Sequence, residues 1–206
     1  AFLADFRSRL LLSYRSGIPA PLTLVGGRQL NSDTGWGCML RVQQMMLAQC
    51  FLDLLLGREW RHAPERDCAE GSAYLDIISC FLDVPEAPLS LHGLVDAGQR
   101  LMGKEPSAWF GPTSAARAAG HLLDRASEAG NGDRRPLPDS LRGLACAVFE
   151  DGAIYKASVA EKFSAGARAV IILVCRRLGL DDFNIAEYRA GVEACFQVPE
   201  FQGLAS

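Results

Sequence analysis

The sequence predicts a single α+β domain, and three observations support this prediction. Its 206 residues are the usual length of one domain and are enough to bury a sizeable core. Apolar residues recur at helical spacing between residues 2 and 126, whereas two later runs, 144–149 and 169–175, are short and rich in Val and Ile, as buried strands are. Helices that precede the strands along the chain are typical of an α+β arrangement. We therefore expect residues 1–206 to form one domain.

The first half of the chain divides into five predicted helices. Apolar residues at helical spacing define each of them, and Gly or Pro ends most of them. Ser90 is the predicted N-cap of the fourth helix, because a Ser side chain accepts hydrogen bonds from the free N–H groups of a first helical turn. The predicted helices span residues 2–15, 39–56, 73–82, 90–95 and 114–126, with a loop over 17–27 and a charged connection over 58–71.

The second half begins with the most loop-like stretch of the chain, residues 129–139, which holds two Gly and two Pro. We interpret it as a surface connection inside the domain. After it come the strand predicted over 144–149, a short helix over 159–163 and the strand over 169–175. A final helix is predicted over 185–195, where apolar residues again recur at helical spacing.

The stretch most indicative of chemistry runs from Asn31 to Gly57. A glycine-punctuated turn delivers Cys38 to the start of a helix that is apolar on nearly every face, which is typical of a buried helix. Free N–H groups and the helix dipole stabilise a thiolate at such a position. Gly35 and Gly37 remove side chains on both sides of the cysteine, so that a substrate backbone could approach closely. The alternative is that Cys38 is a small buried hydrophobe, as a cysteine beside a helix usually is.

Composition and motif searches argue against several other functions. A net charge of −3 gives no electrostatic reason to bind nucleic acid or an anionic membrane. Seven scattered cysteines suit reduced thiols in the cytosol, and without Cys-x-x-Cys or His-x-x-x-His pairs we expect no zinc. The run 98–104 fits the first seven positions of a phosphate-binding loop, but Glu105 replaces the required Ser or Thr. We therefore expect no cofactor, and no stretch indicates a signal peptide or a membrane span.

A longer motif around Cys38 resembles a known family. The run 32–41, Ser-Asp-Thr-Gly-Trp-Gly-Cys-Met-Leu-Arg, followed by Gln44-Met45 and Ala48-Gln49, is similar to the nucleophile segment of the autophagins. These are cysteine peptidases that process ubiquitin-like autophagy modifiers. Other segments agree with the family in the same order along the chain: residues 5–10, 13–15, 91–98, 109–112 and 170–179.

The resemblance implies a papain-like cysteine peptidase fold, in which the helical first half carries the nucleophile and the two strands begin a central antiparallel sheet. It also implies site residues: Cys38 as nucleophile, Tyr14 as an oxyanion-hole hydroxyl, Trp109 as the aromatic that covers the cleft, and Gly35, Trp36 and Gly37 beside the substrate. From the residues alone, Tyr14 could be a tyrosine at a helix end that packs its ring on the core, and Trp109 is better explained as an ordinary core aromatic before a Gly-Pro turn.

A cysteine nucleophile normally needs a base, usually His, which an Asp or Asn orients. The chain has three histidines: His62 in the charged connection, and His92 and His121 in predicted helices, where packing explains them. In the autophagins, an Asp-Pro-His motif supplies the base and the acid, and this motif does not occur here. We therefore expect an N-terminal portion of a peptidase, incomplete at its C-terminus and inactive by itself.

The function that the resemblance implies is that of a cytoplasmic, monomeric cysteine endopeptidase. It would cleave an autophagy modifier after its C-terminal glycine, both to trim the precursor and to release the modifier from phosphatidylethanolamine. The modifier, in its precursor and lipid-conjugated forms, would be the partner, and contact with a membrane would be only indirect. The alternative comes from another class of protein: a non-catalytic module that binds the modifier without cutting it.

Overall fold

The structure, a computed structural model, describes residues 2–24, 26–62, 68–128, 135–179 and 181–204. Helices and short strands share these ranges, in agreement with the predicted α+β class. The predicted loop over 129–139 lies partly outside the described residues. In chain order the elements are α1 (Phe2–Arg7), β1 (Leu22–Thr23), β2 (Gln29–Leu30), α2 (Cys38–Leu56), α3 (Cys68–Ser79), α4 (Leu91–Met102), α5 (Pro112–Ser127), a 3-10 turn (Asp139–Leu141), β3 (Leu144–Phe149), α6 (Lys156–Ser164), β4 (Ala169–Val174) and α7 (Ile185–Cys195).

Helix α2 lies at the centre of the core, as its apolar sequence predicts. Leu40, Leu47 and Phe51 are completely or almost completely buried, and the helix packs against α3, α4 and α5. It begins at Cys38 and ends at Leu56. Gly57 then adopts a φ of +85°, a conformation that favours glycine and stops the helix. The predicted range of 39–56 is therefore confirmed to within one residue.

Helix α4 is longer than predicted. The Ser90 hydroxyl accepts a hydrogen bond from the Gly93 N–H at 3.1 Å, which confirms the predicted N-cap. The helix then continues past Val95 to Met102, because no Pro interrupts it before Gly103 takes up the left-handed conformation that closes it. Residues 98–102, the first five of the run 98–104 that resembles a phosphate-binding loop, are thus helical.

Helix α1 is shorter than the predicted 2–15, since it ends at Arg7. The Ser8 hydroxyl donates back to the Ala4 carbonyl at 2.7 Å and accepts from the backbone N–H of His62 at 2.8 Å. Beyond this anchor the chain runs towards residues 31–33, with which it makes backbone hydrogen bonds and an antiparallel bridge between Ser16 and Ser32. The hydrogen bonds to these distant residues therefore decide the conformation of residues 8–15, although their apolar residues have helical spacing.

Strands β3 and β4 pair in parallel, so that the antiparallel sheet expected from the resemblance is wrong for this pair. Leu144 lies opposite Ala169 and Phe149 opposite Val174. The physical reason is the connection: α6 carries the chain back along the pair, and a strand that re-enters after such a crossover runs parallel to the first. The other pair, β1 with β2, is antiparallel and only two residues long in each strand.

Helix α5 covers one face of β3 at short range. A Cβ added at Gly120 of this helix would lie 2.8 Å from Cγ2 of Val148, so that glycine is needed for the close approach of helix and strand. Together, α2, α4, α5 and β3 enclose the core.

Strand β4 has β3 as its only strand partner within the described residues, and it leaves apolar side chains in solvent. Ile172 is 39% exposed and Val174 is 42% exposed. An exposed apolar edge strand promotes association between molecules.

We expect Ile172→Lys to raise the fraction of this chain that stays soluble after high-speed centrifugation. Leu173→Lys is the matched control, because Leu173 is buried, and it should lower solubility. A loss of solubility in Ile172→Lys as well would show that this face is packed in solution.

Candidate active site

Cys38 occupies the position that the sequence predicts, at the first residue of α2. Gly37 is the N-cap and has no side-chain oxygen that could accept hydrogen bonds from the first turn of α2. The free N–H groups of that turn therefore remain available to a nearby anion. Gly35 forms the turn before it with a φ of +87°, where a side chain would be strained. The cysteine thiol itself is half-buried. The turn and the start of α2 therefore leave free N–H groups and an uncrowded backbone beside Cys38.

Asp33 is buried beneath this turn, with no exposed surface. One carboxylate oxygen, Oδ1, accepts the backbone N–H of Arg15 at 2.6 Å, and the other, Oδ2, accepts Nε of Arg41 at 2.6 Å. Its backbone carbonyl accepts the N–H groups of Trp36 and Gly37 at 3.2 and 2.9 Å. Asp33 thus contacts the segment before the turn, the turn itself and the helix after it.

Arg41, one turn into α2, connects Asp33 to a second carboxylate. Its guanidinium donates to both oxygens of Asp83, at 2.8 and 3.2 Å, and to the side-chain oxygen of Gln44 at 3.2 Å. Gln44 in turn donates to the carbonyl of Leu89 at 2.8 Å. Burial opposes the charge on Arg41, but hydrogen bonds to Asp83 and Asp33 outweigh it and raise the pKa of Arg41. The guanidinium therefore remains a cation between two carboxylates.

Tyr14 lies beside Cys38, although its side chain is 48% exposed. It directly precedes Arg15, whose backbone N–H and C=O both bond to Asp33. Partial burial, the charge and hydrogen bonding of the Cys38 thiol, and the charge of Asp33 all raise the pKa of Tyr14. The hydroxyl therefore keeps its proton at neutral pH and is available as a hydrogen-bond donor next to the cysteine.

Trp36 and Gly37 have packing roles in this structure. The indole ring of Trp36 is 8% exposed and its Nε1–H donates to the carbonyl of Ser32 at 3.1 Å. Gly37 is also buried, and a Cβ there would lie 2.7 Å from Oδ2 of Asp33. The space freed by the missing side chain thus holds Asp33. Gly35 differs, because it is exposed and has open space around the position of a Cβ. Contact of these three residues with substrate remains a prediction.

Trp109 presents its ring to solvent and is 59% exposed. The neighbouring Phe110 is fully buried against Gly98 of α4, where any Cβ would overlap the phenyl ring. This anchor fixes the backbone, so that Trp109 faces outwards just before α5, and its carbonyl accepts Nζ of Lys104 at 3.1 Å. Trp109 is therefore not the ordinary core aromatic of the alternative interpretation. Its role as the cover of a cleft over Cys38 remains a prediction.

None of the hydrogen bonds that the described residues make joins a histidine to Cys38. His92 is buried, and its Nε2 pairs with the carbonyl of Ala20 at 2.5 Å. His62 is exposed and stacks on Tyr74 with ring centroids 5.1 Å apart. His121 lies within α5. The contacts of His92 and His62 agree with the packing and surface roles predicted for them.

Four of the other cysteines are disfavoured as nucleophiles. Burial, with smaller effects of nearby acids, raises the pKa of Cys50, Cys80 and Cys146 to about 12. Burial also raises the pKa of Cys175. These thiols stay protonated at neutral pH, and a thiol is a far weaker nucleophile than a thiolate. Six cysteines are free in the structure, whereas the side chain of Cys68 lies outside the described part of the chain.

The described residues hold no group of three or more His, Cys, Asp or Glu side chains that could bind a metal ion. In the same part of the chain, no helix is long and apolar enough to cross a bilayer.

A thiol at a helix N-terminus, with a hydroxyl donor beside it, is the arrangement of a cysteine-dependent hydrolase. A family model for the peptidase C54 catalytic domain matches residues 1–206, and the chain belongs to this family. This assignment confirms the resemblance to the autophagins.

Several curated proteins are similar to the chain. A probable cysteine protease ATG4 of Pichia angusta is 37% identical over 205 residues, which cover 89% of the chain and 37% of that protein. Cysteine protease 1 of Neurospora crassa is 36% identical over 228 residues, covering 100% of the chain and 41% of that protein. A probable cysteine protease atg4 of Penicillium rubens is 37% identical, covering 100% of the chain and 52% of that protein. The chain thus spans about half the length, or less, of the curated relatives that it matches.

Sequence reasoning missed Asp33 and Asp83 as parts of the site. A signal was present, since Arg41 interrupts a helix that is otherwise apolar enough to be buried. A buried guanidinium requires a buried acid. Asp33 is only eight residues from Arg41 and lies in the same motif, whereas Asp83 could not be identified, because it is 42 residues away along the chain.

Proposed function

We propose that the protein to which this chain belongs is a cysteine endopeptidase that cleaves ubiquitin-like autophagy modifiers after a C-terminal glycine. Cys38 is the nucleophile and Tyr14 is a donor of the oxyanion hole. The observation that carries the proposal is the position of Cys38 at the start of a buried helix, with the Tyr14 hydroxyl beside it. The enzyme acts as a monomer in the cytoplasm, both on the precursor and on the modifier linked to phosphatidylethanolamine, and it contacts membranes only through the lipidated substrate.

The chemistry follows from this geometry. The Cys38 thiolate attacks the carbonyl carbon of the glycine, and the carbonyl oxygen becomes an oxyanion that accepts a hydrogen bond from the Tyr14 hydroxyl. One such side-chain donor stabilises the tetrahedral intermediate by roughly 2.7–4 kcal/mol in a serine peptidase where it was removed. The bond from carbon to the amide nitrogen then breaks, the amine leaves with a proton, and water hydrolyses the thioester to release the carboxylate.

The proton for the leaving amine comes from a general acid outside the groups described at this site. His92 pairs with Ala20 and is not bonded to Cys38. The autophagin resemblance implies that a downstream Asp-Pro-His motif supplies the base and the acid that orients it. We therefore expect residues 1–206 by themselves to give no detectable turnover, because thiolate formation alone does not protonate the leaving group.

The preference for glycine follows from close access to Cys38. Gly35 is exposed and leaves open space beside the turn, so that a substrate backbone can approach the cysteine. We expect Trp109, which is exposed just before α5, to cover the other side of this path to Cys38. A substrate Cβ would collide there, and glycine alone avoids the collision.

The second candidate, a non-catalytic module that binds the modifier, is favoured by one observation. Two of the three histidines have other partners: His92 pairs with Ala20, and His62 stacks on Tyr74. A chain with a nucleophile and no base would still present the turn at Gly35 and the exposed ring of Trp109 to the modifier.

A cleavage assay on a modifier precursor separates the two functions. The assay compares residues 1–206 with a version extended to include an Asp-Pro-His motif, on a precursor with glycine before the scissile bond and on the same precursor with alanine there. Peptidase function predicts that the extended version cuts the glycine precursor and leaves the alanine precursor intact. Binding without cleavage by the extended version would support the non-catalytic module, and equal cleavage of both precursors would contradict the proposed selectivity.

A further inference from the structure

We propose that Asp33 is the positioning residue of this site, which holds the Tyr14 segment and the Cys38 helix in one fixed arrangement. The inference rests on the proposed function for its meaning, since it concerns the same thiol and the same hydroxyl donor. It goes further by giving a specific task to a residue that contacts neither the substrate nor the reacting bond.

The two carboxylate oxygens of Asp33 bind two different parts of the chain. Oδ1 accepts the N–H of Arg15, the residue directly after Tyr14, while Oδ2 accepts Nε of Arg41, three residues after Cys38. Both distances are 2.6 Å, which is short for an N–H···O bond and typical of bonds to a charged acceptor. One rigid carboxylate therefore sets the distance between the backbone that carries the hydroxyl and the helix that carries the thiol.

The backbone of Asp33 strengthens the same connection. Its N–H donates to the carbonyl of Arg15 at 3.3 Å, so that Arg15 is bound from both sides. Its carbonyl accepts the N–H groups of Trp36 and Gly37, which closes the turn in front of Cys38. A helix dipole can stabilise a thiolate only if the first turn is held in place, and Asp33 holds it.

The absence of a side chain at Gly37 is evidence for the position of Asp33 that does not depend on hydrogen bonds. Gly37 has a φ of −81° and a ψ of −1°, a conformation with negative φ that residues other than glycine also adopt, so that a left-handed backbone does not explain the glycine. The space that a Cβ would need lies 2.7 Å from Oδ2 and 2.8 Å from Cβ of Asp33. Adding one methyl group at residue 37 therefore displaces the carboxylate without changing any charge.

The charge of Asp33 also acts on Tyr14, where it is one of the causes that raise the pKa of the phenol. This effect gives a spectroscopic signature of positioning, because ionisation of a tyrosine is measured by absorbance near 295 nm. The signature requires no substrate and no turnover. Failure of the peptidase proposal in the cleavage assay and failure of the positioning role in this titration are therefore distinguishable.

The test compares Asp33→Asn with Asp83→Asn in residues 1–206, and each protein is also made with Tyr14→Phe, so that the difference between the two titrations isolates Tyr14. An Asn side chain offers one acceptor and one NH₂ donor, and so it loses one of the two bonds of Asp33 whichever way it is oriented. Asp83 is the matched control because it pairs with the same Arg41, and at 3.8 Å with the guanidinium of Arg15, but makes no hydrogen bond to the Arg15 backbone.

The expected result is that Asp33→Asn raises the acid dissociation constant of Tyr14, because a nearby negative charge that raises the pKa of the phenol is lost. Asp83→Asn should change it by less. In the NMR spectrum, the amide proton of Arg15 should move upfield in Asp33→Asn, which loses its acceptor, and by much less in Asp83→Asn, which loses only an ion pair with the Arg15 side chain. Equal shifts in both variants, or no shift in either, would overturn the positioning role.

Gly37→Ala is a second variant that needs no change of charge, and Gly191→Ala is its control, since Gly191 lies in α7 with no atom near the position of a Cβ. We expect Gly37→Ala to shift the Arg15 amide proton and the Tyr14 titration, and Gly191→Ala to leave both unchanged. If Gly37→Ala gives the wild-type amide shift and the wild-type titration, the proposal fails even where Asp33→Asn does not fold.

Discussion

Cys38→Ser is expected to lower kcat for cleavage of a modifier precursor by about 10⁶-fold, which is the scale measured when the nucleophile of a peptidase triad is removed. The substitution is made in the version of the protein that includes the Asp-Pro-His motif. A serine hydroxyl at the same helix N-terminus is far less acidic than a thiol, so that the helix dipole no longer generates a useful nucleophile. The measurement is the initial rate of precursor cleavage, followed by gel or mass spectrometry.

Cys50→Ser is the matched control for this loss. Cys50 belongs to the same helix, but burial holds its pKa at about 12, so that it remains a thiol at neutral pH. We expect this variant to keep kcat within a few-fold of the parent protein. A similar loss in both variants would mean that damage to α2, and not removal of a nucleophile, explains the effect of Cys38→Ser.

Arg41→Met is expected to lower the free energy of unfolding of residues 1–206 by about 3–5 kcal/mol, the range for breaking a buried ion pair. The side chains of Arg41 and Asp33 are 4% and 0% exposed. Methionine fills much of the volume but leaves the Asp33 and Asp83 carboxylates without their cation. With urea m-values of about 2–3 kcal/mol/M, the unfolding midpoint should fall by roughly 1–2.5 M.

The control for Arg41→Met is Arg189→Met in α7. Arg189 pairs with Glu193 at 2.7 Å, a bond that is as short as those of Arg41, but the two side chains are 69% and 62% exposed. Exposed pairs contribute little, so that this variant should change stability by less than about 1 kcal/mol. Equal midpoint shifts in the two variants would contradict the view that the buried network, and not ion pairing in general, stabilises the fold.

Local sequence patterns were sufficient for most of the secondary structure. The helix α2 and the strands β3 and β4 were predicted to within one residue, because continuous apolar runs bounded by Gly, Pro or polar residues leave few alternatives. Helix α7 was also predicted at its observed bounds. Where a helix simply continued until a breaker, as α4 does to Gly103, the pattern of apolar residues alone underestimated its length.

Contacts between distant parts of the chain account for the errors. Residues 8–15 have helical spacing but leave α1, because Arg15 bonds to Asp33 and Ser8 to the backbone of His62. The direction of β4 relative to β3 depends on how the intervening helix crosses, and the resemblance alone gave the wrong direction. Neither the long-range hydrogen bonds nor the way in which α6 crosses can be recognised from ten consecutive residues of sequence.

In the candidate site, too, the local parts were predicted and the long-range contacts were missed. Cys38 and its glycine turn were evident from a short motif, and the structure places the cysteine at the predicted helix start. The resemblance, and not the pattern of residues, indicated Tyr14, and the structure brings it beside the thiol. The Asp33–Arg41–Asp83 network was missed. The Arg41–Asp83 pair is separated by 42 residues and becomes visible only once the chain has folded, and Asp33, eight residues from Arg41, is recognisable as its partner only from its complete burial.

The central claim is that Cys38 is the reactive thiol, and competitive alkylation tests it most directly. Residues 1–206 are treated at neutral pH with limiting iodoacetamide, and mass spectrometry gives the labelling rate of each of the seven cysteines. We predict that Cys38 reacts first, about a hundred-fold or more ahead of Cys50, Cys80 and Cys146, whose raised pKa keeps them protonated, because only thiolates react at a useful rate. It should also precede Cys195, which is exposed but ends α7, where the helix dipole disfavours a negative charge. Faster labelling of Cys195, or of any other cysteine, would contradict the claim.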